Sequence, residues 1–171
     1  SWDQMADYSA GEGEDTGTFI GVAVHWEVGE TGDSAANNDF LAWTIDGSME
    51  SDGWGLSASY VEVDTDVESG LQIGDVEASG YVLQASYTLP NSSLEPFVRW
   101  EQVDLDDIND NGEQEFLTFG VNHYLNGHNA KMTYDVVWAQ NEVPQSESVL
   151  GLQQDNGDDQ IVLRAQLQLV F

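Results

Sequence analysis

The sequence has no cysteine. That excludes a disulfide framework and any thiolate-held metal, and it fits a protein exposed to the periplasm. Cations are nearly as scarce: three Lys+Arg stand against 32 Asp+Glu, a formal net charge of −29. A chain this acidic cannot neutralise phosphates, which argues against DNA or RNA as a partner. Nor does it offer a basic patch to anionic lipid headgroups. No run of about 18 apolar residues occurs, so a transmembrane helix is excluded. The remaining way to span a membrane is a closed sheet of strands. The chain begins at Ser1, without initiator Met or signal peptide, and so reads as a processed or excised piece.

What the sequence has instead is alternation. Residues 160–171 place Ile161, Leu163, Ala165, Leu167, Leu169 and Phe171 on one face. Val162, Arg164, Gln166, Gln168 and Val170 fall on the other. Successive strand residues point to opposite faces, so one wall is apolar and the other mostly polar. A strand of about ten residues ending on Phe171 suits the last strand of a transmembrane barrel.

The same period recurs upstream. Eight strands are expected, at about 16–28, 39–49, 54–64, 78–88, 94–103, 116–124, 130–140 and 160–171. Phe40 and Phe97 are exceptions, falling on the polar side. Residues 1–15 show no strand period and read as an N-terminal loop or strand connection; residues 16–171 hold the strands. No helical period competes over a comparable length.

The connections alternate in length. Those at 29–38, 65–77, 104–115 and 141–159 are long and hold 17 of the 32 acids. Those at 50–53, 89–93 and 125–129 are tight turns. Long loops on one side and short turns on the other is the pattern of an outer-membrane barrel. Trp26, Trp43, Trp54, Tyr60, Tyr81, Tyr87, Trp100, Tyr124 and Trp138 lie mostly on the apolar parity, as interfacial girdles would, although aromatic residues also favour strands in general.

Three segments resemble the phosphate-selective porin O/P family, including its planctomycete-type members. They are Glu95-Pro96-Phe97-Val98-Arg99-Trp100-Glu101, the hairpin from Thr118 to Lys131 (TFGVNHYLNGHNAK), and the closing run Leu163–Phe171 (LRAQLQLVF). Val24-His25-Trp26-Glu27 and Gly53-Trp54 resemble, less specifically, the porin-like proteins of planctomycete-type bacteria. The resemblance implies a 16-stranded barrel, usually trimeric, of which eight strands would form the C-terminal half. It also implies residence in the bacterial outer membrane, insertion by the barrel assembly machinery, and a role for Phe171 as assembly signal.

All three cations, Arg99, Lys131 and Arg164, fall on the polar parity, which faces the lumen of a barrel. A charge facing lipid would cost roughly 2–4 kcal/mol at mid-membrane. The resemblance implies that they belong to a basic strip guiding anions. The alternative is pairing with pore-lining carboxylates such as Glu101, Asp135, Glu27 or Asp46. The excess of acid favours pairing, and with it cation preference or poor selectivity.

Asp107, Asn109, Asn111 and Gly112 match positions 1, 3, 5 and 6 of a Ca²⁺ loop. Position 12 is Thr118 rather than a bidentate Glu, so an EF-hand is rejected and only weak Ca²⁺ binding remains open. Asp155, Asp158 and Asp159 form a weaker candidate. His25, His123 and His128 lack zinc-site spacing, and no G-x-S-x-G elbow occurs. No enzyme and no tightly held cofactor are expected.

The sequence thus predicts an all-β, antiparallel up-and-down transmembrane β-barrel in outer-membrane lipid, a homotrimeric porin for passive diffusion of small hydrophilic solutes or ions. Two alternatives stand beside it: a soluble secreted all-β ligand-binding module, and a closed eight-stranded membrane anchor without a pore. The porin reading requires Ile20, Val24, Leu83, Val136, Leu163 and Leu167 to be exposed although apolar.

Overall fold

The computed structural model describes residues 11, 13–28, 37–68, 76–105, 113–127, 129–140, 152 and 159–170. Eight strands account for most of them: β1 (Gly17–Glu27), β2 (Asn37–Ser51), β3 (Trp54–Glu68), β4 (Val76–Tyr87), β5 (Leu94–Asp104), β6 (Gln114–Tyr124), β7 (Ala130–Gln140) and β8 (Gln160–Leu169). Each pairs antiparallel with the next, giving one sheet in the order β1 to β8. Among the described residues β1 and β8 do not pair, so the sheet is open.

All eight expected strands are present, and β2 and β3 are longer than the sequence indicated, at 15 residues each. Their far ends carry Asn37, Asn38, Asp64 and Asp66, residue types depleted in strands. The ladder nonetheless continues to Asn37↔Glu68, because backbone pairing persists where side-chain preference is weak. Asp52 and Gly53 join the two strands with φ of 43° and 84°. Positive φ at both central positions is a type I′ turn, whose twist matches that of the flanking strands.

Register fixes the faces. Val24 stands opposite Trp43, Tyr60 opposite Tyr81, Leu83 opposite Trp100, and Val136 opposite Leu163. These belong to the apolar face. Asp46 stands opposite Ser59, Gln84 opposite Arg99, Asn122 opposite Thr133, and Asp135 opposite Arg164 on the polar face.

Burial is inverted relative to a water-soluble sheet. Ile20 is 74% exposed, Val24 68%, Leu163 77% and Leu167 56%; Leu83 and Val136 are exposed as well. Among strand residues the large exposed hydrophobics all lie on the apolar face except Phe19 and Val61. The buried strand side chains — Ser48, Glu50, Ser86, Glu95, Gln114, Thr118, Val137 and Ala139 — all lie on the polar face. Common cavities over that face take side chains from β3 through β8, so the sheet curls around it.

Phe40 and Phe97, which fall on the polar face, have local contacts there. The Phe97 ring lies over Gly120, its cross-strand partner: a Cβ on Gly120 would stand 2.3 Å from Phe97 Cζ. Phe40 meets His25 edge-on, with ring centroids 5.5 Å apart. Asp46 folds over Gly21, where a Cβ would meet its Oδ1 at 2.6 Å.

Candidate functional site: the polar face

Alternation on β5, β7 and β8 delivers all three cations of the chain to one place. Arg99, Lys131 and Arg164 line a single cavity of about 830 Å³ together with Gln84, Asn122 and Thr133. Two of them are neutralised there. Arg99 Nε donates to Glu101 Oε2 at 2.8 Å. Arg164 donates twice to Asp135, from Nε to Oδ1 at 2.7 Å and from Nη2 to Oδ2 at 3.2 Å. The fork-to-fork geometry fixes orientation as well as charge. Lys131 makes no ion pair among the described residues; its Nζ lies 5.9 Å from the centroid of the Tyr124 ring.

The expected carboxylate partners divide accordingly. Glu101 and Asp135 each hold an arginine. Glu27 stands 3.6 Å from His25 Nε2, and Asp46 packs on Gly21, with no cation beside it among the described residues. Asp107, Asn109 and Asn111, Asp155 and Asp158 of the candidate Ca²⁺ loops, and the terminal Phe171, lie outside the described residues. Asp159 accepts a hydrogen bond from Trp138 Nε1 at 3.0 Å.

Sequence reasoning missed three participants. Glu95 is 1% exposed and accepts a hydrogen bond from the Tyr124 hydroxyl, 29 residues away. Thr118 is fully buried between Arg99 and Val137. Leu152, from the β7–β8 connection, is 5% exposed and packs with Phe116, Ala139 and Val162 on the polar face. The polar-face parity of Glu95 was the available signal; nothing local marks Leu152.

On the apolar face the aromatic residues form two rows. Trp43 and Tyr60 meet at a tilt and Tyr81 and Trp100 edge-to-face, each with ring centroids 5.1 Å apart, towards the long connections. Trp54 and Tyr87 pair at 4.6 Å beside the short turns. In the first row the polar tips find polar partners. The Tyr60 hydroxyl donates to Glu62 at 2.8 Å, Trp100 Nε1 to Glu115 at 2.6 Å, and the Tyr81 hydroxyl to Gln102. Tyr60 and Trp54 are six residues apart on β3, and so are Tyr81 and Tyr87 on β4. That spacing spans about 20 Å of strand.

An antiparallel meander that exposes its apolar side chains and buries its polar ones has a porin-like β fold. The family model of phosphate-selective porin O and P matches residues 29–171, and the chain belongs to that family. Its members are outer-membrane proteins, and membership supports a porin-type channel role. The chain is also similar to an uncharacterized protein of Aquifex aeolicus (strain VF5), 29% identical over 102 residues, a match covering 57% of this chain and 22% of that protein. No solved structure matches.

Proposed function

We propose that the chain forms part of an outer-membrane porin whose polar face lines a water-filled lumen and whose apolar face meets lipid. The observation that carries this reading is the inverted burial: exposed Ile20, Val24 and Leu163 against buried Glu50, Glu95 and Gln114. In water such an apolar face would cost roughly 25 cal/mol per Å² left exposed; in hydrocarbon it costs nothing. The aromatic pairs on the apolar face support it, since one set lies towards the long connections and the other beside the short turns, as interfacial aromatic residues do. Strands of 10 to 15 residues are long enough to cross.

The open edges of β1 and β8 require partners within a membrane, because unpaired backbone groups are not tolerated there. A 16-stranded barrel satisfies both edges with further strands, and a homotrimer in outer-membrane lipid, inserted by the barrel assembly machinery with Phe171 as signal, follows the family pattern. Transport is passive diffusion without catalysis.

On selectivity the reading departs from the family's name. The polar-face strand positions hold six carboxylates, Glu27, Asp46, Glu50, Glu95, Glu101 and Asp135, against three cations. Two arginines are engaged by carboxylates, and the described strand positions of the wall carry a net negative charge. Cation preference or weak selectivity follows. Single-channel recording in a planar bilayer under asymmetric KCl, on protein isolated from its native membrane, tests this: open steps with a cation-signed reversal potential are expected. Absence of steps would overturn the channel; an anion-signed potential would overturn the charge argument.

A further inference from the structure

Above the polar cavity lies a second one of about 400 Å³ with a different lining. Val61, Val82, Phe116, Val137, Leu152 and Val162 give it an apolar wall on a face that is otherwise polar. Its size and its mixture of apolar surface with a few polar groups are those of a small-molecule site. Arg99 and Arg164 line both cavities and stand at the boundary between them. Glu101 engages only the Nε–H of Arg99, and Asp135 takes the Nε–H and one Nη–H of Arg164. A guanidinium has five N–H donors, so both retain donors that these two carboxylates do not use.

We propose that this cavity is a subsite for small organic monocarboxylates with a hydrocarbon body. The hydrocarbon occupies the valine–phenylalanine wall under Leu152, and the carboxylate accepts the remaining N–H donors of Arg99 and Arg164. Glu101 and Asp135 hold the guanidiniums in place without using them up. The inference rests on the polar face being a lumen wall and names a solute class for it.

The experiment uses the intact protein from its native membrane in a planar bilayer, with acetate, butyrate, hexanoate and 1-hexanol added in turn to KCl. Each methylene buried in the apolar wall should tighten current block about fourfold until the cavity is filled. Hexanoate should block at least tenfold more tightly than hexanol. Val61→Thr, which places a hydroxyl in the wall, should weaken block by hexanoate several-fold and leave acetate unchanged. Equal block by acetate and hexanoate would overturn the apolar subsite, and equal block by hexanol and hexanoate would overturn the carboxylate end. Open channels with no block by any of them would remove the subsite and leave the porin standing; no channels at all would remove both.

Discussion

Arg164 faces Asp135 directly across the β7–β8 ladder and holds it with two hydrogen bonds, at 2.7 and 3.2 Å. The pair links the last strand of the chain to its neighbour within the polar face, and it offsets the charge of one of only three cations. Asp135 keeps 11% of its side chain exposed and Arg164 36%, so solvent screens the pair in part. Arg164→Gln should therefore cost about 1–2 kcal/mol, through loss of charge-assisted bonds, and should shift the reversal potential further towards cations. Asp135→Asn should shift it towards anions. Equilibrium unfolding in detergent and bilayer recording read the two effects separately.

Phe97 and Gly120 form one packing unit. Gly120→Ala puts a methyl into the Phe97 ring and close to Asp135 Cβ, at 2.9 Å; overpacking of this kind costs typically 1–3 kcal/mol. Phe97→Ala alone should also destabilise, because the ring is partly buried against Gly120. The double variant should be more stable than the sum of the two single losses, since removing the ring makes room for the methyl. A double-mutant cycle by urea unfolding in micelles checks this.

The two faces should respond oppositely to charge. Leu163→Arg on the apolar face should cost roughly 2–4 kcal/mol when the protein folds into lipid vesicles. Gln166→Arg, on the polar face of the same strand, should change folding little. Folding yield against urea in lipid gives both numbers in one series.

At the β2–β3 turn, Gly53 has φ of 84°. Gly53→Ala forces an L side chain into the left-handed region and should cost about 1–2 kcal/mol. Asp52→Gly, at φ 43°, should be tolerated far better, since glycine suits that position of a type I′ turn. Thermal unfolding of the two variants separates them.

Much of this was legible in the sequence because strand alternation is local. Ile161 to Leu169 declare two faces without help from any other strand, and Asp52-Gly53 declares its turn. The cations on the polar parity, and two of their carboxylate partners, Glu101 and Asp135, follow from the same count. What alternation cannot convey is contact across strands. Phe97 looks like an error of pattern until Gly120 is placed beside it by the β5–β6 register. The burial of Glu95 depends on Tyr124, and the seat of Leu152 on Phe116, Ala139 and Val162, all remote in sequence. The ends of β2 and β3 were missed because acidic and amide residues carry a loop signal that the ladder overrides.

The absence of native cysteine makes one measurement especially direct. Single cysteines placed in turn from Ile161 to Gln168, in protein reconstituted into lipid, should react with a period of two. Positions 162, 164, 166 and 168 should take a water-soluble thiol reagent, and positions 161, 163, 165 and 167 a lipid-confined one. That pattern is what a lumen-facing polar wall and a lipid-facing apolar wall require. Reaction of the 161, 163, 165 and 167 series with the water-soluble reagent, at rates equal to those of its neighbours, would contradict the account.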